Sequence, residues 1–150
     1  MRTKEEWETL FRKIGVEDPE GWASSEFEEK LGNLTSLAFL RELRKLVPAK
    51  DDQFWLKRWV AYEADTQPGA CAAYSRLLNA GANSEDLLLL LRGVMSEFVH
   101  QTVSALDAGQ PGDLEDEIAE QIQWRLCEID ENRKLVPLSG LHELADGDAP

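Results

Sequence analysis

Residues 84–93 read SEDLLLLLRG, and no other feature constrains the fold as much as these five consecutive leucines. Successive side chains on an α-helix step about 100° around its axis, so five adjacent leucines go right round and no single amphipathic face covers residues 87–91. That turn is expected to be enclosed on nearly all sides, by the chain's other helices or by a second copy of itself. Core is the favoured outcome. A bilayer is a poor alternative, because the apolar window 87–106 contains Arg92, Glu97, His100 and Gln101. A mid-bilayer Arg or Glu costs about 3 kcal/mol each, and no transport pathway is suggested nearby. No membrane partner is therefore expected.

Helical signals extend along most of the chain. Thr3 and Glu6 form a capping box ahead of Trp7, Leu10, Phe11 and Ile14, and Gly15 ends that helix. EDPEG reads as a turn. Ser25 and Glu28 offer a second box for a short helix carrying Phe27 and Leu31, which Gly32 stops. A third helix starts near Thr35, with Leu37, Leu40, Leu43, Leu46 and Val47 on one side and Arg41, Arg44 and Lys45 on the other, and Pro48 ends it. Asp51 or Asp52 caps a fourth through Phe54, Trp55, Leu56, Trp59, Val60 and Tyr62. Residues 70–80 form a fifth, closed by Gly81 in the left-handed conformation. Asn83 or Ser84 caps the sixth, whose Glu85 and Asp86 complement the helix dipole and which continues through Val94, Phe98 and Val103 to Gly109. For residues 113–129 the spacing of Ile118, Ile122, Leu126 and Ile129 favours a seventh helix. The alternative is a small β-hairpin within 122–138.

The expected fold is therefore all-α, a single compact bundle of six to seven helices around the apolar helix near 84–108. Residues 1–138 form one helical domain and 139–150 an acidic C-terminal tail, rich in Pro and Gly. At 150 residues the chain is large enough to bury a core without a disulfide or metal staple. Cys71 and Cys127 have no Cys or His close in sequence and read as buried small apolar residues. The N-terminus MRTKEEWETL has no apolar segment ahead of a small-residue cleavage site, so a cytoplasmic location is expected.

Charge is the strongest functional indicator. Residues 1–62 carry 11 Lys and Arg against 12 Asp and Glu, net −1, whereas residues 63–150 carry 5 against 17, net −12. From Asp107 to Glu120 there are six acids and no base. Such a field repels nucleic acid and steers basic protein surfaces. The basic run RELRK, with Lys57 and Arg58 among Phe54, Trp55 and Trp59, is the only patch of nucleic-acid type. In a chain of net charge −13 it does not overturn that expectation.

Motifs for catalysis are lacking. Glu97 and His100 form Glu-x-x-His, half of the set that ferritin-like bundles use for two metals, but His142 is the only other histidine and has Ser139 three positions before it. No nucleophile elbow or phosphate-binding glycine pattern occurs. The sequence accordingly predicts no catalytic residue, no metal ligand and no cofactor, with a carboxylate-only enzyme as the weakest alternative.

The C-terminal segments WRLCEID (residues 124–130) and Leu-His-Glu (residues 141–143) resemble the ending of a group of small, acidic, uncharacterised bacterial proteins with a W-x-L-x-E-x-D segment. The resemblance covers about a quarter of the chain, implies a bacterial source, and transfers no catalytic residue. Taken with the charge, the expectation is a non-catalytic protein that binds a basic protein partner, of the type of toxin-neutralising immunity proteins. Asp113, Glu115, Asp116, Glu117 and Glu120 are the expected contact residues. A self-associating structural or adaptor protein that forms a homodimer through the sixth helix is the alternative.

Overall fold

A computed structural model describes residues 2–111, 122–130, 132–138 and 140–146. Among them seven helices and one two-stranded hairpin form, in the order α1 (Lys4–Ile14), α2 (Pro19–Glu29), α3 (Asn33–Arg44), α4 (Trp55–Glu63), α5 (Pro68–Asn79), α6 (Ser84–Ala108), β1 (Cys127–Ile129), β2 (Leu135–Pro137) and α7 (Leu141–Asp146). The fold is all-α, as the periodicity predicts. It divides into two compact units, Met1–Arg44 with Val99–Pro150, and Lys45–Phe98.

In the first unit, local chemistry sets the ends of α1. Thr3 Oγ1 accepts from the Glu6 amide at 3.3 Å while Glu6 Oε2 accepts from the Thr3 amide at 2.8 Å, and Gly15 takes φ 87° beyond the last turn. Helix α2 starts earlier than expected. Asp18, not Ser25, is its cap, accepting from the Gly21 amide at 2.9 Å, and Pro19 occupies the first helical position, where its missing N–H costs nothing. The Asp-Pro pair that looked like a turn is thus a helix start, and the box at Ser25 and Glu28 does not form. Phe27 and Leu31 are left exposed.

Helix α3 begins at Asn33 and receives its cap from another element. Glu26, 5% exposed, reaches from α2 to accept from the amides of Gly32 at 3.2 Å and Asn33 at 2.7 Å. A carboxylate on these orphan donors also complements the helix dipole. Phe11, Val16, Ala23 and Leu37 form one buried cluster, with Trp7 and Trp22 against it. Leu40, Val103 and Leu141 form a second, with Val99, Leu106 and Leu126 around it. Leu141 buries the C-terminal helix α7, so the segment expected as a tail is helical and docked through residue 146.

The segment 126–138 is a hairpin. Strands β1 and β2 pair antiparallel with Glu128 opposite Val136, which corrects the favoured helix over 127–129. Asp130 decides this locally, because its Oδ1 accepts from the amides of Asn132 at 2.8 Å and Lys134 at 2.7 Å, and Arg133 turns through φ 61°. The Leu138 amide extends the pairing by donating to the Leu126 carbonyl at 2.8 Å.

In the second unit, α4, α5 and the first part of α6 carry the buried Leu56, Cys71 and Leu88 respectively. The expected cap of α4 is absent. Phe54 occupies the cap position without a side-chain bond, and Asp52 instead holds the Arg58 guanidinium with both carboxylate oxygens. That pairing lowers the Asp52 carboxyl below its ordinary range. After α5, Gly81 adopts φ 90° and donates to the Leu78 carbonyl, and Asn83 Oδ1 accepts from the Glu85 amide at 2.8 Å to open α6.

Candidate functional site

The five leucines of α6 have divided environments. Leu88 is buried and Leu87 and Leu91 are half-buried, but Leu89 and Leu90 are 63% and 66% exposed. Enclosure on nearly all sides, the favoured expectation, is not what the described residues show. Of the five, Leu88 alone is fully buried. Val94, one turn on, is 59% exposed. Leu89, Leu90, Gly93 and Val94 therefore line a shallow open groove along α6, with Asp86 and Glu97 at its two ends. A patch of this kind, apolar in the middle and charged at its ends, marks a contact surface more often than a random surface does.

A second feature joins α6 to the C-terminal helix. Asp107 Oδ2 lies 2.7 Å from the His142 amide and 2.6 Å from His142 Nδ1. A carboxylate only accepts, so the ring hydrogen is on Nδ1. The Asp107 side chain is 9% exposed and the His142 side chain 49%. Burial opposes ionisation of Asp107, but the amide and ring of His142 and the Leu141 amide outweigh it and hold the carboxyl below its ordinary value. An aspartate that orients an imidazole is one part of a general-base device. Here the pair also clasps α7 to the end of α6.

The contact residues expected from charge, Asp113, Glu115, Asp116, Glu117 and Glu120, lie outside the described residues, as does most of the expected helix over 113–129. The residues of the C-terminal resemblance are described, and those that recur in it, Glu143 apart, have structural tasks. Trp124 Nε1 donates to the Ala105 carbonyl at 2.9 Å, Leu126 packs on the second cluster, Glu128 accepts from the Thr35 hydroxyl, and Asp130 builds the turn. With Leu141 and His142 they fasten the chain end to α3 and α6.

The basic residues are largely absorbed by the fold. Arg41 donates to the Ile14 carbonyl at 3.2 Å, Arg44 to the Ala145 carbonyl at 2.9 Å, and Lys57 lies 5.8 Å above the Phe54 ring. Trp55 and Trp59 stack on each other at 6.2 Å and are half-buried. Cys71 is buried with Sγ 3.6 Å from the Val60 carbonyl, and Cys127 is a half-buried free thiol in β1. Among the described residues no three His, Cys, Asp or Glu side chains converge as metal ligands. No helix among them is long and apolar enough to cross a membrane.

Sequence reasoning missed the Asp107–His142 clasp and the Glu26 cap. Both join residues on different elements, and a lone sequence carries no sign of such pairing. The groove was within reach, since the spacing of residues 86, 90, 93 and 97 is visible in the letters, but the exposure of that side was not. Comparison of the chain with protein-family models, with curated proteins and with solved structures gives no match.

Proposed function

We propose that this chain is a non-catalytic binding protein that covers a basic surface of a partner protein in the bacterial cytoplasm, in the manner of a toxin-neutralising immunity protein. The observation that carries the proposal is the open apolar groove of α6 with carboxylates at both ends. Supporting it is the net charge of −12 on residues 63–150, which attracts a basic surface over distances up to about a Debye length, roughly 8 Å at physiological salt. In this role Asp113, Glu115, Asp116, Glu117 and Glu120 steer the encounter, and the groove supplies the short-range contact.

The test uses a partner recovered with the intact chain as bait and then purified. Reversing Asp116→Lys and Glu120→Lys together should slow association at low salt by at least about tenfold and flatten its salt dependence. Unchanged association and an unchanged salt slope would refute the steering role. The same exposed leucines favour a second reading, a homodimer through α6. A monomer by analytical ultracentrifugation at all accessible concentrations would eliminate it.

A further inference from the structure

The two units differ in how much apolar material each buries. In the first, Phe11, Ala23 and Val103 are fully buried and Leu40 and Leu141 nearly so, within two clusters that draw on α1, α2, α3, α7 and the second half of α6. Every residue from Lys45 to Phe98 is described, and four of them, Pro48, Leu56, Cys71 and Leu88, are buried. None of the four belongs to either cluster. Leu46, Phe54, Tyr62, Leu77, Leu89 and Leu90 in this unit are all exposed. A domain of roughly 60 residues is marginal even with a complete core, because burial must offset the entropy of ordering the chain.

Local stabilisation does not make up the difference. Helices α4 and α5 have nine and twelve residues, and neither has a side-chain bond at its N-cap, whereas Thr3 and Asp18 cap α1 and α2. Helices that short are marginal in water without packing. The Arg58 side chain of the Asp52–Arg58 pair is largely exposed, and an ion pair adds little there.

Helix α6 contributes to both units. Residues 99–108 are fastened by Val103, by the Trp124 Nε1 bond to the Ala105 carbonyl and by the bonds from His142 to Asp107. In residues 84–98 one side chain, that of Leu88, is buried, and Gly93 lowers the helix propensity of the stretch. A single helix of 25 residues therefore has one end built into a core and the other not.

We infer that residues 45–98 are a separately opening element: α4, α5 and residues 84–98 of α6 unfold together while the first unit, including residues 99–108 of the same helix, stays folded. Opening releases a segment whose flanking residues, Arg44 and Val99, remain in the folded first unit. It is a conformational property of the chain alone and does not depend on the binding role proposed above.

Hydrogen exchange of the full chain at several low urea concentrations, read by mass spectrometry, tests it. Amides of residues 55–98 should exchange at least about a hundredfold faster than those of α1, α3 and residues 99–108, and should share one dependence on urea. The step in protection should fall inside α6, near residue 98. Leu88→Ala should speed exchange throughout 55–98 at least about tenfold, or remove protection there altogether, and leave α1 and α3 within about twofold of wild type.

Uniform protection along α6, protection of α4 and α5 equal to that of α1 and α3, or equal acceleration of both units by Leu88→Ala would each overturn the inference, since each describes one cooperative unit. Global unfolding of Leu88→Ala would overturn it as well.

Discussion

Removing the carboxylate at position 107 should loosen the C-terminal helix by a predictable amount. Asp107→Ala abolishes two hydrogen bonds to a charged acceptor, from the His142 amide at 2.7 Å and from His142 Nδ1 at 2.6 Å. Bonds of that kind contribute about 1.5–3 kcal/mol each when both partners are buried. His142 is half exposed and recovers hydration when released, so the lower end applies and the expected loss is about 2–3 kcal/mol in total. Asp107→Asn keeps an acceptor but no charge, and should cost about 1 kcal/mol.

The pH dependence follows from the depressed carboxyl of Asp107. A group whose folded value lies below its unfolded value adds stability that is fully present above the unfolded value, about 3.9, and is lost as pH falls through the folded one. The stability gap between wild type and Asp107→Ala, measured by urea unfolding, should be full near pH 6 and close steadily below about pH 4. Amide exchange in α7 should accelerate in the variant, and a cycle with His142→Ala should return a coupling of about 1 kcal/mol. A gap under about 0.5 kcal/mol near pH 6, or one that stays constant down to about pH 2, would refute the clasp as a stabilising contact.

Three further changes probe other joints. Glu26→Ala leaves the buried amides of Gly32 and Asn33 without their acceptor and should cost about 3 kcal/mol by denaturant unfolding, whereas a loss under about 1 kcal/mol would show that Glu26 does not cap α3. Gly32→Ala puts a side chain at φ +71°, with its Cβ 2.6 Å from Leu138 Cδ2, and should cost about 2 kcal/mol. A neutral effect there would mean that Leu138 moves aside freely. Leu90→Asp, at a position 66% exposed, should leave stability within about 0.5 kcal/mol, and unfolding of that variant would show that Leu90 is buried after all.

How much was legible depended on the distance between the groups involved. The box at Thr3 and Glu6, the left-handed glycines at 15 and 81, the cap at Asn83 and the long span of α6 are interactions within a few residues, and their letters announce them. So is the Asp18–Pro19 start of α2, which was present in the letters but masked by the turn-like composition around it. For 126–138, helical spacing competed with a turn signal. The hairpin won because Asp130 organises the turn while Leu126 pairs with Leu138 and Glu128 reaches Thr35, contacts that a local pattern does not contain.

The candidate groove stands between these cases. By itself the sequence determined an all-α chain, the extent of α6, and the fact that five adjacent leucines cannot all lie on one face. Which of them meet solvent was decided by tertiary structure alone. Leu88 turns inward and Leu89 and Leu90 outward because burial depends on which other parts of the folded chain meet each side of a helix. The clasp of Asp107 on His142 has the same origin, since 35 positions separate the two and only folding brings a buried carboxylate against an imidazole.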